Sequence, residues 1–246
     1  MNYTAEDYEY LEGKRFSNGY CLKLKNNILY TRINTLLDLT KEKTVLHIGC
    51  CDHINLIDSK IANNNWLHGE LLKVCEKVIG IDIDEEAVNY IKQKGINDVY
   101  YNNVLTDDPI EISEKYDYIL LAEIIEHLDN PQEFLITLKS KYKNLANKLI
   151  ITAPNAFSAI NFKNSKLLKE CINSDHRFWF TPYTISKILV KSGIKPVEIL
   201  FADDNIGLVS RLINKICRIL RLTPRRLRPA LKHSVMGGTI IIIGEI

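Results

Sequence analysis

One stretch, Tyr116–Pro131 (YDYILLAEIIEHLDNP), limits the folds open to this chain more than any other. Its first half, Tyr116–Ala122, is an apolar run with a single early acid, Asp117. A strand that reads this way is buried on both faces, as in a parallel sheet with helices above and below. The run stops at Glu123, and Glu126 and His127 follow. If Glu123–His127 is one helical turn, positions i, i+3 and i+4 share a face. Two carboxylates and an imidazole would then converge at the carboxyl end of a central strand, where open α/β sheets bind ligands. The plainer alternative is a solvated first helical turn in which the helix dipole favours two acids.

The rest of the chain alternates strand and helix signals around that stretch. Residues 1–25 are polar and tyrosine-rich and read as a loosely attached lead-in. Asn27–Leu39 has apolar residues at helical spacing (Ile28, Leu29, Ile33, Leu36, Leu37) and predicts a helix on the sheet edge. Thr44–Ile48 is a short strand closed by Gly49-Cys50-Cys51-Asp52-His53, a tight turn whose glycine lets a ligand approach the backbone. Residues 54–75 read as helical, broken by Asn63-Asn64-Asn65. Lys77–Ile81 is the next strand, ending at Asp82, and Asp84 caps a helix that Gly95 closes. Asp98–Tyr101 is a brief third strand before Asn102-Asn103-Val104. Asn130 and Pro131 open a helix, Leu149–Thr152 is a fifth strand, and Thr181-Pro182 open a helix ending at Gly193. Pro196–Phe201 and Gly238–Ile243 are the last two strands, with no conventional crossover between them, which suits antiparallel pairing. This alternation predicts a doubly wound, mostly parallel sheet. Residues 1–43 read as a lead-in and helix, and 44–246 as the domain proper.

Bulk properties narrow the class. A chain of 246 residues suits one decorated domain, and a net charge of +2 exerts no strong pull on nucleic acid or membrane. The six cysteines (21, 50, 51, 75, 171, 217) contain no Cys-x-x-Cys pair, so zinc-finger and thioredoxin readings fail. The acidic N-terminus has no apolar core, so reduced thiols and a cytoplasmic location are expected. One segment departs from the average: 206–235 carries eight Lys and Arg residues and no acid, with Leu208, Leu212 and Ile216 at helical spacing. Such a basic amphipathic insertion suits an anionic membrane surface or a phosphorylated substrate, and equally a surface helix packed across the sheet edge.

A nucleotide-like ligand needs a tight turn after the first strand, an acid after the second for ribose hydroxyls, and a base contact after the third. Gly49, Asp82 and Asn103 stand at those places. The spacing argues against a dinucleotide dehydrogenase. G-x-G-x-x-G is absent, and Asp82 lies 33 residues after Gly49 (82 minus 49) rather than about 20.

In this order, Val45–Gly49, Val78–Asp84, Tyr116–His127 and Ile151–Asn155 resemble the conserved-order motifs of class I S-adenosylmethionine-dependent methyltransferases. The resemblance spans about residues 44–200 and implies a Rossmann-like, mostly parallel seven-stranded sheet with an antiparallel last strand. It implies S-adenosyl-L-methionine as cofactor, with Gly49 and Cys51 bordering its methionine part, Asp82 on the ribose hydroxyls, Ile83 packed on the adenine, and Asn103 and Val104 at the adenine edge. His47 stands where the family usually has an acid, and Cys51 and His53 stand where it has glycines. His47 can meet the methionine ammonium only as the neutral imidazole.

Glu123-Ile124-Ile125-Glu126-His127 with Asp175-His176 resembles the small-RNA 3′-terminal 2′-O-methyltransferases, and the same Glu-x-x-Glu-His is similar to ubiquinone-pathway O-methyltransferases. That likeness implies a divalent metal (Mg, Mn, Fe or Zn) on Glu123, Glu126, His127 and His176. A metal orients a sugar hydroxyl and lowers its pKa; without one, His127 or His176 would serve as general base. Val45–Cys50 with Asp52-His53 and Trp66-Leu67-His68 resembles bacterial methyltransferases of surface-glycan and sugar-nucleotide modification. It implies O-methylation of a sugar-containing acceptor, small or lipid-linked, with Phe178, Trp179 and Phe180 as an aromatic wall or as core anchors. RNA or a quinone-type phenol as acceptor, and a non-catalytic subunit docking through 206–235, are the rival expectations.

Overall fold

The computed structural model of the protein describes residues 3–110, 114–204 and 234–246. Apart from its last two residues, the basic amphipathic segment expected at 206–235 lies outside the described residues. Seven strands, β1 (Thr44–Ile48), β2 (Lys77–Asp82), β3 (Val99–Tyr101), β4 (Tyr116–Ala122), β5 (Ala146–Pro154), β6 (Lys195–Ala202) and β7 (Thr239–Glu245), form one sheet in the order β3-β2-β1-β4-β5-β7-β6. The pairs β1–β2, β1–β4, β2–β3 and β4–β5 are parallel, and β7 runs antiparallel to both β5 and β6. Helices α1 (Ala5–Glu12), α2 (Arg32–Thr40), α3 (Ile54–Ala62), α4 (Leu67–Leu71), α5 (Glu85–Gln93), α6 (Pro131–Tyr142), α7 (Ala159–Lys166) and α8 (Pro182–Lys191) accompany the sheet, with short 3₁₀ turns at Ile125–His127 and Ser234–Met236.

The central strands are apolar on both faces because both faces are covered. Leu46, Ile119, Leu121, Leu149, Ile151 and Ile242 pack with Leu135 and Leu138 of α6 and Leu189 of α8. Their neighbours Val45, Leu120, Ile150 and Ile241 face the other way, onto Leu36 of α2 and Leu67 and Leu71 of α4. The period-2 alternation of a strand divides one apolar run between two cores. Helix starts follow their caps: Asp84 accepts the Ala87 N–H (2.9 Å) and Asn130 accepts the Glu133 N–H (3.1 Å) ahead of α5 and α6.

Three expectations are corrected. The first 25 residues are not a loose lead-in. Thr4 and Asp7 form a capping box on α1, the Tyr8 hydroxyl donates to the Pro196 carbonyl at 2.7 Å, and Lys187 Nζ donates to the Tyr10 carbonyl at 2.7 Å. Of its buried residues Asp7, Tyr10 and Leu11 only the last is aliphatic, so no apolar period announces the helix. The second helix starts at Arg32, not Asn27, because Asn27 has another task. Its side-chain amide donates to the Phe201 carbonyl (2.8 Å) and accepts the Phe201 N–H (3.0 Å), pairing the free edge of β6 as a neighbouring strand would. The fifth strand runs on to Pro154, whose missing N–H is tolerated at a strand end.

Replacing Asn27 with Ala leaves both Phe201 backbone groups without that partner, and buried polar groups left so cost about 1–3 kcal/mol each. Urea unfolding of Asn27→Ala is expected to show a loss in that range, with β6 exchanging its amides faster; unchanged stability would contradict the pairing.

Candidate active site

Parallel pairing puts the carboxyl ends of β1, β2, β4 and β5 along one edge. Ile48 stands opposite both Ile81 and Leu121, and Ala122 opposite Thr152. After β1 the chain turns at Gly49 with φ +73°, and a Cβ there would lie 2.2 Å from Ile124 Cδ1. Only glycine allows the β4 loop to close over this turn. After β2, the Asp82 carboxylate accepts the Cys51 N–H (2.8 Å) on one oxygen and the Asp84 N–H (3.1 Å) on the other. Burial raises its pKa in spite of these donors. A desolvated carboxylate with spare lone pairs is what a ribose diol can satisfy. Ile83, 67% exposed beside it, offers an apolar face to a base. The residues present therefore fit the nucleoside half of S-adenosylmethionine.

The remaining cofactor candidates are placed as follows. Cys51 contributes its backbone N–H to Asp82, and its Sγ lies 3.9 Å from that of Cys50. Asn103 accepts the Leu105 N–H on its side-chain oxygen (3.0 Å), and Asp107 accepts the Asn103 N–H (2.7 Å), so this residue builds the turn after β3. Val104 is buried, and its carbonyl accepts from Lys141 Nζ at 2.8 Å. His47 differs from expectation. It is buried, with Nδ1 3.2 Å from Nδ1 of His68 in α4 and rings stacked at 5.4 Å between centroids. Its Nδ1 is engaged by that partner, and its Nε2 is buried without one. Burial, then the neighbouring His68, holds the His47 pKa well below the usual range, and burial lowers His68 to about 4. His68 was visible in the sequence only as part of the Trp66-Leu67-His68 resemblance; its contact depends on where α4 sits.

The acid-and-imidazole group forms differently from a single helical turn. Glu123 has φ +55° and ends the strand, and only Ile125–His127 coil, as one 3₁₀ turn. The Glu123 carboxylate accepts from Thr152 Oγ1 at 2.9 Å. It stands apart from the group of Glu126, His127 and His176, whose ligand atoms all lie within 4.8 Å of one another. Glu123 is thus corrected from a fourth ligand to a neighbouring charge. The Arg177 N–H donates to the Glu126 carbonyl at 2.8 Å and brings His176 over this turn, with the His127 and His176 rings edge-to-face at 4.7 Å. Glu126 is fully buried and neither carboxylate oxygen has a hydrogen-bond partner; His176 Nδ1 is likewise unpartnered. Burial, then the Glu123 charge, raises Glu126 to about 8, while burial and His127 lower His176. One carboxylate and two imidazoles form a donor set suited to a borderline divalent cation. Of the three aromatics, Phe180 is core, Trp179 Nε1 donates to Glu170 at 2.6 Å, and Phe178 is exposed.

Two outcomes follow from this geometry. Because the folded pKa of His68 is depressed, its contribution to stability is full above about 6.5 and is lost as pH falls towards about 4. The loss amounts to roughly 3 kcal/mol, so urea midpoints should fall steeply over that window, and less steeply in His68→Phe. At the other end of the sheet edge, Asp82→Ala removes a charged acceptor worth about 1.5–3 kcal/mol. Calorimetric affinity for S-adenosylhomocysteine should drop roughly tenfold or more; an unchanged affinity would remove Asp82 from the cofactor site.

A family model described as a methyltransferase domain matches residues 23–199. No curated protein matches the chain. Among solved structures, the small RNA methyltransferase HEN1 superposes with a TM-score of 0.54 at 17% identity, over 93% of this chain and 27% of that one. A SAM-dependent methyltransferase of Thermotoga maritima, titled a possible histamine N-methyltransferase, gives a TM-score of 0.53 at 13% identity over 98% and 93% of the two chains. These likenesses are of fold. With the family match over most of the chain and the strand-edge geometry above, the chain belongs to the methyltransferase-domain family and is an S-adenosylmethionine-dependent methyltransferase of the class I, Rossmann-like type.

Proposed function

We propose that this enzyme O-methylates a hydroxyl of a sugar-containing acceptor, small or lipid-linked, with a divalent cation held by Glu126, His127 and His176. The observation that carries this reading is the buried, unpartnered Glu126 carboxylate beside two imidazoles. A carboxylate left so is costly unless a cation or proton joins it. S-adenosylmethionine supplies the transferable methyl group. Asp82 would hold its ribose and Ile83 its adenine. A cation on the three donors would supply Lewis acidity to the acceptor oxygen, since a sugar hydroxyl is a poor nucleophile at neutral pH. His176, whose pKa is lowered, is neutral at pH 7 and able to take up the hydroxyl proton or keep its lone pair for the cation. Phe178 gives an exposed ring beside His176 against which a sugar face can stack. Fixing donor and acceptor side by side supplies much of the rate by orientation.

Glu126→Gln should abolish calorimetric binding of Mn²⁺ and lower kcat by more than the roughly 10–100-fold that loss of an outer-shell partner costs. Chelation of the wild-type enzyme should match it, with activity restored by added metal. Full methyl transfer to vicinal-diol acceptors in the presence of chelator would remove the cation from the reading. Transfer only to amines would remove the O-methyl assignment.

A further inference from the structure

The helix α7 is built inside out. Ordinary surface helices bury apolar residues and expose polar ones. Here Asn164 is the buried residue, at 7% exposure. Asn161 also points its amide inward, donating to the Asn155 and Ala156 carbonyls (3.2 and 3.4 Å). Meanwhile Ile160 and Phe162 are 52% and 48% exposed. The chain then turns at Leu168, which has φ +54° and is 96% exposed. Glycine or asparagine is the usual residue at such a left-handed helix end. A leucine there costs strain and exposes its whole side chain, and nothing inside the described fold repays it. Phe157, Leu167 and Ile172 are exposed in the same stretch. These six exposed apolar residues all fall between Phe157 and Ile172, a density along the chain that isolated surface leucines do not reach.

Charge tells which surface this face fits. Lys163, Lys166 and Lys169 are interleaved with the apolar residues, all three exposed, against a single acid, Glu170, which accepts from Trp179 Nε1. Large apolar side chains set among lysines are the composition of a face that lies at a bilayer–water boundary, the apolar groups among acyl chains and the ammonium groups on phosphates. Beside the helix, Phe157, Phe162, Lys166, Val235 and Met236 line a mostly apolar trough of about 530 Å³. The stretch begins just after the tip of β5 and ends at His176 of the cation-ligand group. Among the described residues no helix is long and apolar enough to cross a membrane, so contact of this kind would be peripheral.

We propose that the outer face of α7 and its Leu168 turn seat the enzyme on an anionic lipid bilayer, bringing the mouth of the acceptor site to the headgroup layer. The lipid-linked form of the acceptor is thereby favoured, a step that rests on the O-methyltransferase reading; the bilayer contact itself does not. The experiment is co-sedimentation of the full chain with vesicles of phosphatidylcholine alone or mixed with phosphatidylglycerol. Binding to the anionic vesicles is expected, with a blue shift of Trp179 emission, Trp66 being buried and insensitive. Ile160→Asp with Leu168→Asp should weaken binding roughly tenfold or more, and Lys163→Gln about fivefold. Unchanged S-adenosylhomocysteine affinity in each variant certifies its fold, and Lys163→Gln decides alone should the double variant misfold. Three results would overturn the proposal. They are wild-type protein left in the supernatant, variants that sediment like wild type (which places binding elsewhere, as in 206–235), and a stable dimer that the double variant dissociates. Failure to methylate sugars would leave the vesicle result standing.

Discussion

The parallel pairing of β1 with β2 on one side and β4 on the other is the constraint from which the rest follows. It aligns Ile48 with Ile81 and with Leu121, so the chain leaves all three strands at one edge. Gly49, Asp82 and Glu123 are the first residues past or at those ends. A slip of one residue in any of these strands would turn its side chains to the opposite face and take its terminal residue out of the site. The two cores described by alternate residues of β1 and β4 prevent that slip, since each face of the sheet has its own set of helices to fill. Packing in the middle of the sheet therefore sets the chemistry at its edge.

That edge is where the molecule keeps its polar groups away from water. Glu126 without hydrogen-bond partners and the His47–His68 pair with its unpartnered Nε2 atoms are two forms of the same cost. The histidines meet it by staying neutral. Burial, then the like charge of Glu123 that Thr152 retains nearby, raises the Glu126 pKa to about 8, so this acid meets the cost by holding its proton. The edge thus carries one desolvated acid, Glu126, and a second, Asp82, held by backbone N–H groups. Around the mouth, α7 reverses the usual order by turning asparagines inward and phenylalanine, isoleucine and leucine outward.

Most strands were legible because a buried parallel strand leaves a continuous apolar run bounded by turn residues; Thr44–Ile48 and Tyr116–Ala122 have the bounds expected of them. Caps such as Asp84 and Asn130-Pro131 were legible because a side-chain oxygen three residues before a free N–H is a local matter. The N-terminal helix was not, since tyrosine hydroxyls reaching Pro196 and Ser186 leave no period to read. The start of α2 was missed because Ile28 and Leu29 continue a helical spacing that Asn27 overrides through a partner 174 residues away. At the site, Glu123 was expected on the same turn as Glu126, and a single left-handed residue separated them.

By itself, the sequence determined the strand-and-helix order, the antiparallel last strand's place in the class, and which acids and imidazoles stand at strand ends. These depend on periods and caps that span a few residues. Only the tertiary structure decided which of those groups meet. His47 found His68, Glu123 found Thr152, and Glu126 was left for His127 and His176, because side-chain partnership is set by distances across the sheet edge that no local spacing encodes.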